Sequence, residues 1–546
     1  MRTLFTIGFI LLHASLIGQS ATDSMVIRAL QDELSRTQNE LGTHAITHKP
    51  TYLRFVLFSY SQYQLVSNQG VLQPGKSLDF VSFLPHIHFR DAFWPQYNHS
   101  VIPSPLYRLS NILSYNSVRE ECWRAVDSEL KSQHALYLED LQEDKLKNLS
   151  LTPSIKASEP SLVRLAHPGI DYRKGLTPGF DTLFWKQTVG DLGKYLQSNH
   201  ALSFSRVAFT HRQYTTYSVS SEQVTLQIPK SSVLLQISVG MKSPDGSEER
   251  ISSDFQIADS CGVYRTEPLL RHAQQLAASL TALTGAPRLE QPYNGPVLFE
   301  KESAAAFFEM LLMSSFQSEW AAFPARILGH SPTPVNSVTS IDKRLNVTGY
   351  SDPSDSVDVE GFSPMPRIPL VREGMVNRPL TTQFSPRKEL GSTGTLCYYP
   401  LPNLFRPVPG YSLSRLHVET SKGVSGSRLK KDWLSEAQRQ GFDSALIVRK
   451  LGSRLLFYLV DVASGREQLI RDNGTESQVW SYMYNPFSSA LSRSHSYAKK
   501  AFTSPVYAQS FYALGPIEFT VPEAVLCPML QLTPAPKTPV QTDLIQ

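Results

Sequence analysis

The sequence predicts an α+β fold, with helices and antiparallel sheet mixed in the N-terminal part and a largely β C-terminal part. Two observations predict this fold class. Apolar residues recur at helical spacing mainly before residue 286, and short alternating segments separated by Pro and Gly dominate after it. A chain of 546 residues is also too long for one hydrophobic core, so at least two domains are expected.

The N-terminus has the three-part pattern of a secretory signal peptide. Arg2 precedes an apolar run from Leu4 to Ile17, and small residues follow between Gly18 and Ala21. The run is too short for a membrane-spanning helix. We therefore expect an exported protein, periplasmic or secreted, with a signal peptide over residues 1–20 and no membrane span in the mature chain.

Changes in composition divide the rest of the chain. Residues 21–286 are predicted to form an N-terminal α+β domain, interrupted by a Pro-, Gly- and Ser-rich linker at about 150–182. Residues 287–532 are predicted to form the C-terminal domain. The Pro- and Thr-rich tail, residues 533–546, is expected to be disordered.

Helices are expected where apolar residues recur at helical spacing after a capping residue. The expected helices begin at Asp23 or Ser24 and continue to Leu41, then run from about Ser117 to Leu146, Phe184 to Gln197, Thr266 to Thr284, Ser303 to Trp320 and Trp433 to Gln440. Strands are expected in alternating segments between turn residues. They are Tyr52–Ser59, Tyr63–Val66, Val81–Phe89, Ala201–Thr210, Tyr214–Val219, Gln223–Ile228, Ser232–Val239, Pro296–Phe299, Ala445–Arg449, Leu455–Val462 and Glu467–Arg471.

Charge and cysteine content exclude two classes of function. The 52 basic and 48 acidic residues leave a net charge of only +4, without the clustered basic face that nucleic acid requires. The four cysteines, Cys122, Cys261, Cys397 and Cys527, are too far apart in sequence for a zinc cluster. In an oxidising compartment they allow one or two disulfides, and their pairing stays open.

One pair of histidines is a candidate metal site. His86 and His88 lie on the same face of a predicted strand, where two imidazoles can share a metal ion. No third ligand follows at a suitable spacing, and the neighbouring residues are apolar. We therefore favour a structural role for both side chains.

Two other motifs also favour a structural interpretation. The segment Gly423–Ser427 resembles a serine-nucleophile elbow, but its glycine spacing is wrong, so a turn is favoured. Asp355, Asp358 and Glu360 offer carboxylates for a cation, but the spacing of a calcium-binding loop is missing. A solvated turn is therefore expected there.

A series of short motifs resembles a known family. In chain order they are Leu30–Leu34 with Arg36, the predicted helix that contains Trp123, Gly295–Phe299 followed by Ala304–Ala306, Asp358–Gly361, Ile368–Val371, Glu373-Gly374, Pro402–Leu404, Pro409-Gly410 and Val521–Leu526. Their order, more than any one of them, resembles the TldD/PmbA family of metallopeptidase-related proteins, in an exported branch. The resemblance spans nearly the whole mature chain.

This resemblance implies an N-terminal α+β domain, a largely β C-terminal domain and subunits that pair around an enclosed chamber. It also implies a zinc site in complete family members, held by an HExxxH helix directly after the strand that matches Gly295–Phe299, with the glutamate as general base. The family pairs one zinc-bearing subunit with one zinc-free subunit. A homo- or hetero-dimer with a TldD/PmbA homologue, and a peptide ligand, are therefore expected partners.

The chain departs from the family at this helix. Laid on without gaps, the motif falls on Glu309 for the first His, Met310 for the Glu and Ser314 for the second His. A shift in alignment restores nothing, because no His occurs between His272 and His330. We therefore name no catalytic residue and expect no zinc or other cofactor in this chain.

Three functions remain open. The first is a non-catalytic subunit that binds peptides or pairs with a zinc-bearing homologue. The second is an active peptidase or hydrolase with a non-standard metal site that involves Glu309 and His330. The third is a structural homodimeric envelope protein. Metal content and co-purifying partners distinguish them.

Overall fold

A computed structural model describes residues 23–39, 49–50, 52–89, 107–109, 111, 113–148, 171–173, 181–257, 266–315, 342–353, 355–377, 380, 392–401, 406–472, 474–484, 495–506 and 517–534. The expected signal peptide, the alternative ligand His330 and most of the expected tail lie outside these residues. Within them, no helix is both long and apolar enough to cross a membrane.

The N-terminal half, residues 23–284, alternates helices with strands. Its helices are α1 (23–39), α2 (Tyr115–Asn148), α3 (Thr182–Gln197) and α4 (Thr266–Thr284). Its strands are β1 (Tyr52–Asn68), β2 (Val71–Leu72), β3 (Lys76–His88), β4 (Tyr107–Leu109), β5 (Asp171–Arg173), β6 (Phe204–Ser220), β7 (Thr225–Lys242) and β8 (Glu248–Ile257).

These strands form one sheet, the N-terminal sheet, in the order β4-β3-β1-β6-β7-β5, with β2 beside β1 and β8 beside β7. All pairs are antiparallel except β5 with β7. Alternate side chains point to opposite faces of each strand. The odd-numbered residues of β1 and β7 pack against the helices: Phe55 and Leu57 in the cluster with α1 and α2, Leu235 and Ile237 in the cluster with α3 and α4. The even-numbered residues of β1, such as Val56 and Phe58, pack against residues of the C-terminal half.

The C-terminal half, residues 293–534, is mostly strand. Its strands are β9 (Tyr293–Glu300), β10 (Leu345–Tyr350), β11 (Arg367–Arg372), β12 (Met375–Val376), β13 (Leu396–Leu401), β14 (Arg406–Tyr411), β15 (Arg415–Thr420), β16 (Ser444–Leu451), β17 (Arg454–Asp461), β18 (Glu467–Ile470), β19 (Ser496–Tyr497), β20 (Ala501–Val506), β21 (Ile517–Pro522) and β22 (Ala524–Leu532). Its helices are α5 (Glu302–Ser315), α6 (Gly426–Arg439) and α7 (Glu476–Tyr484).

Two six-stranded sheets enclose the core of this half. Their orders are β12-β11-β10-β15-β21-β20 and β18-β17-β16-β9-β22-β19, and β13 pairs with β14 as a separate hairpin. Helix α5 lies between the two larger sheets, because Phe307 and Phe308 pack with residues of both. Helix α6 covers the outer face of the second sheet through Leu429 and Trp433. The α+β fold class predicted from the sequence is therefore confirmed.

Several predicted strands are parts of longer ones. The predicted segments Tyr52–Ser59 and Tyr63–Val66 are both in β1, and the two segments predicted on either side of Arg212 form β6. Strand β7 continues through Pro229, which pairs with Thr215. Polar residues in the middle of these strands suggested turns, but Gln62 and Arg212 pair on the even-numbered face, and His211 Nε2 lies 3.1 Å from Ser231 Oγ.

Three further segments differ from their expected form. Helix α6 begins at Gly426, so Gly423–Ser427 is not only a turn: Ser425 is its N-cap and accepts the N–H of Arg428 at 3.3 Å. The motif Val521–Leu526, which resembles the closing strand of the family, is divided between β21 and β22, which belong to different sheets. The segment expected as a linker contains the short strand β5, which pairs with β7.

Two of the contacts between the two halves frame the same part of the N-terminal sheet. At the first contact, Arg454 lies 2.7 Å from Glu249, and the N–H of Ser453 donates to the carbonyl oxygen of Ser252 at 2.6 Å. At the second contact, residues 355–362 and β13 cover the even-numbered face of the N-terminal sheet near Arg54. The two contacts bracket a stretch of β7.

Candidate functional site

Helix α5 starts directly after β9 and is fixed there by one serine. Ser303 Oγ donates to the carbonyl oxygen of Val448 at 2.6 Å and accepts the N–H of Glu300 at 2.9 Å. The side chains of Ala304, Ala305 and Phe307 are buried. The helix is therefore held rigidly against β9 and β16, and its remaining exposed side has a defined direction.

The two predicted site residues whose side chains are described differ in environment. Met310 is half-buried and packs against the hydrophobic core of the C-terminal half. Glu309 is also half-buried, and its burial raises the pKa of its carboxyl to about 7, against the opposing charge of Lys450. The side chain of Ser314 lies outside the described part of the structure.

Lys450 of β16 is the cation that faces Glu309. Burial lowers the pKa of its ammonium, and the charges of Glu309, Glu302, Asp254 and Glu476 oppose that shift. Asp254 belongs to β8 of the N-terminal half and accepts a hydrogen bond from Gln236 at 2.9 Å. Lys450 therefore interacts electrostatically with carboxylates of both halves.

A stretch of β7 runs between the two contacts. Lys230 lies at the second contact, and Ser238 pairs with Ser252 at the first. Eight residues of antiparallel strand span about 27 Å. Between them Ser232, Leu234 and Gln236 share the even-numbered face and are half-buried. We call this strip of sheet the groove floor.

The second contact buries a polar cluster. The Arg54 guanidinium donates to Glu360 Oε1 at 3.3 Å, and the Tyr398 hydroxyl lies 3.0 Å from His86 Nε2. His86 thus has a structural bond in the interface, while the side chain of His88 is outside the described residues. Asp358, only 5% exposed, shares this interface. The expected solvated turn at Asp358 and Glu360 was therefore wrong, because a cation from the N-terminal half compensates it.

A small cleft, partly open to solvent, lies beside this cluster. Asp355 forms an ion pair there with Lys230 and accepts a hydrogen bond from Ser412 at 2.9 Å. Cys397 also lines it. The polar groups of the cleft thus bond mainly to each other across the two halves.

The comparisons with known proteins rest on structure. No protein-family model matches the sequence, and no curated protein is significantly similar to it. Among solved structures, TldE from Thermococcus kodakarensis superposes with a TM-score of 0.51 at 10% identity, covering 92% of this chain and 100% of that one. The chain shares the fold of TldE.

Two more structures have this fold. A candidate modulator of a DNA gyrase from Thermotoga maritima superposes with a TM-score of 0.50 at 11% identity, covering 88% of this chain and 96% of that one. A candidate modulator of DNA gyrase from Bacteroides thetaiotaomicron gives 0.51 at 10% identity, covering 93% and 98%. The TldE fold therefore extends over nearly the whole described chain, as the order of sequence motifs predicts.

The residues of α5 do not fit a zinc ion in this fold. Zinc at a catalytic site takes three protein ligands, and at the matching positions the side chains that the structure describes supply one carboxylate and one thioether. Met310 packs in the core, and the Lys450 ammonium faces Glu309, where it would repel a second cation. Among the described residues, no three His, Cys, Asp or Glu side chains are grouped to hold a metal.

Two cysteines that the sequence left open are buried thiols. Cys122 of α2 packs with residues of α1 and the N-terminal sheet. Cys527 of β22 lies 2.9 Å from the hydroxyl of Tyr482, which lies 2.7 Å from His495 Nε2. Burial raises the pKa of Cys527 to about 11, so its thiol is protonated and unreactive at neutral pH. Cys261 lies outside the described residues.

Sequence reasoning missed Lys450 and Arg54. Arg54 is the single charged residue of β1, a pattern typical of a buried charge with a distant partner, whereas Lys450 adjoins Arg449 and has no such signal. That pattern identifies the residue but not the partner, because Arg54 and Glu360 are 306 positions apart.

Proposed function

We propose that this chain is a non-catalytic subunit of the TldD/PmbA type, exported to the periplasm or secreted, which binds peptides or pairs with a zinc-bearing homologue. The observation that carries the proposal is the replacement on α5: Glu309 faces Lys450, and Met310 packs in the core. Neither side chain can perform the role that the resemblance assigns to its position.

The groove floor supports the peptide-binding part of the proposal. It offers half-buried hydroxyl and amide side chains, Ser232 and Gln236, along about 27 Å of strand. An extended peptide of about eight residues has this length.

Metal analysis and pairing test the proposal together. The mature chain is purified alone and after co-expression with a homologue that carries HExxxH, and zinc and mass are measured by elemental analysis and light scattering. We expect a heterodimer whose zinc depends on the homologue's histidines. A zinc-free homodimer that does not bind the homologue and binds no peptide would instead support the alternative of a structural envelope protein.

The competing function is an active hydrolase with a non-standard metal site. It is favoured by one observation: α5 still presents a half-buried carboxylate, Glu309, at the family position. Stoichiometric zinc in the chain purified alone, with hydrolysis lost in Glu309→Ala but kept in Glu302→Ala, would establish it and refute the non-catalytic proposal. Glu302 is the matched control because it is an exposed carboxylate on the same helix.

Export is tested separately. Cell fractionation of the native host, followed by N-terminal sequencing, should place the protein outside the cytoplasm, with its N-terminus near Ala21. Retention of Met1 in a cytoplasmic fraction would contradict this part of the proposal.

A further inference from the structure

A short acidic turn of the C-terminal half is buried against the N-terminal sheet. Asp358 and Glu360 are 5% and 3% exposed, and Arg54, which bonds to Glu360, is 2% exposed. Val359, between the two acids, packs into an apolar cluster with β1 and β3 and donates its N–H to the carbonyl oxygen of Leu396 at 3.1 Å. The turn is therefore a fastening point between the two halves.

The charges at this turn balance only if one carboxyl carries a proton. Two acids face one guanidinium, all three side chains are buried, and an unpaired buried carboxylate is strongly unfavourable. The next cation, Lys230, is bound to Asp355. Among the described residues no cation is bonded to Asp358, so a second ionised carboxyl at the turn would lack a direct counter-charge there.

Asp358 is the carboxyl that takes the proton. Burial, followed by the charge of Glu360, raises the pKa of Asp358 to about 8. Three backbone N–H groups oppose this shift: those of Glu360 and Phe362 donate to Oδ1 at 2.9 Å, and that of Leu396 donates to Oδ2 at 3.4 Å. Glu360 keeps its charge because it accepts directly from Arg54.

The other titratable groups around the turn come from three strands. Tyr52 and Arg54 are on β1, His86 is on β3, and Tyr398 is on β13. The Tyr398 hydroxyl lies between His86 Nε2 at 3.0 Å and the Arg54 guanidinium at 3.5 Å. Burial raises the pKa of Tyr398, so its phenol stays neutral. Glu360 and Asp358 are thus the acids that set the charge of the interface.

We propose that residues 355–362 form a proton-dependent latch between the two halves, closed when Asp358 is protonated and loosened when it ionises. The latch is independent of the function proposed above, since it concerns only how the halves stay in contact. An acidic surrounding closes it, and a neutral to alkaline surrounding loosens it. Loosening frees β13 and one end of the groove floor.

The sign of the pH dependence follows from the two states. In the closed latch Asp358 holds its proton up to about pH 8. In the open latch the carboxyl meets water and titrates near its ordinary value of about 4. The open fraction therefore rises with pH between about 4 and 8, by at most about tenfold per pH unit, and levels off above about 8.

Hydrogen exchange on the full mature chain tests the latch. Exchange of peptides that span residues 357–362 and 395–401 is followed by mass spectrometry between pH 5 and 9, for the wild type and for Asp358→Asn. The asparagine keeps an amide-accepting oxygen and carries no charge. At each pH the ratio of the two rates cancels the intrinsic chemistry, and we expect the wild-type excess to grow by about tenfold or more from pH 5 to 8.

Two controls keep the result interpretable. Asp254→Asn removes a carboxylate outside the latch, one that is bonded to Gln236, and should leave the pH-dependent excess in place. If Asp358→Asn does not fold, the wild type is compared with Asp254→Asn alone, against peptides from α4 as an internal reference. A wild-type ratio that stays flat between pH 5 and 8, or an excess that is lost in Asp254→Asn, would overturn the latch.

Discussion

The indole N–H of Trp433 donates a hydrogen bond to the carbonyl oxygen of Pro296 at 3.0 Å. This bond ties α6 to β9, the strand that leads into α5. The same carbonyl also accepts from the hydroxyl of Tyr293 at 2.6 Å. Strand β9 is thus fixed from its outer face by a helix that begins about 130 residues later in the chain.

Replacing Trp433 separates the hydrogen bond from the packing. Trp433→Phe loses the N–H but leaves Pro296 with its bond from Tyr293, so we expect a loss of about 1 kcal/mol in the free energy of unfolding. Trp433→Ala also leaves a cavity and should cost about 3–5 kcal/mol. Denaturant unfolding measures both. If both variants lost the same free energy of unfolding, the prediction that the hydrogen bond and the packing contribute separately would be wrong.

The Arg54–Glu360 pair predicts a coupling between the halves. Arg54→Met leaves the buried Glu360 carboxylate without its cation and should destabilise the protein by about 3–5 kcal/mol. Adding Glu360→Met removes the orphaned charge and should recover part of this loss. The double-mutant cycle is measured by chemical unfolding, and a purely additive result would show that the two side chains do not interact.

The raised pKa of Glu309 is expected to make the stability of the protein depend on pH. Its pKa is raised to about 7 in the folded protein and is near 4.5 when exposed, so its protonated form is favoured by folding. Stability from this group is complete below about pH 4.5 and is lost as the pH rises to about 7. The shift corresponds to about 3 kcal/mol, which partial solvent screening reduces to about 1–2 kcal/mol.

Two variants check this prediction. Glu309→Gln should flatten the pH dependence of the melting temperature between pH 4.5 and 7, whereas Glu302→Gln on the same helix should not. Lys450→Met removes the opposing cation, which should move the transition to higher pH. If the melting temperature of Glu309→Gln depended on pH as that of the wild type does, this carboxyl would not be the cause of the pH dependence.

The first contact is expected to require glycine at position 452, because a side chain there would clash with the other half. Its φ is +57°, and a Cβ there would lie 2.1 Å from the carbonyl oxygen of Ser252. Gly452→Ala should therefore separate the halves locally and raise proteolysis or hydrogen exchange around Ser252. Gly465→Ala is the matched control, because Gly465 also has a positive φ, +70°, but open space around it. If both variants had equal effects, strain from the positive φ would explain them, and a clash with Ser252 would not be needed.

Local signals predicted much of the fold. Helix α3 was placed within two residues because Asp181 caps its first N–H groups and apolar residues recur at helical spacing. The start of α6 was missed because Gly426 and Ser427 suggested a turn, whereas the preceding serine acts as a cap. Strand lengths were underestimated where one face of the sheet is only half-covered. Sequence periodicity cannot show how many polar residues a strand can hold before it ends.

The candidate site was predicted only in part. The position of α5 and the identity of Glu309 follow from the motif order. The partners do not: Lys450 is 141 positions away from Glu309, and Arg54 meets an acidic turn that composition alone assigns to solvent. Buried charge pairs depend on contacts between distant segments, which no local pattern encodes.

The division of the last strands between two sheets has a consequence for synthesis. Strand β22 pairs with β9 in the interior of its sheet, so residues near 293–300 have no neighbour on that side until residues 524–532 exist. The C-terminal half therefore cannot complete its fold while the chain is still emerging, in contrast to the N-terminal sheet, whose strands are all made by residue 257. The first half is expected to act as the early folding unit, and truncation just before β22 should leave it folded beside an unfolded, chaperone-dependent remainder.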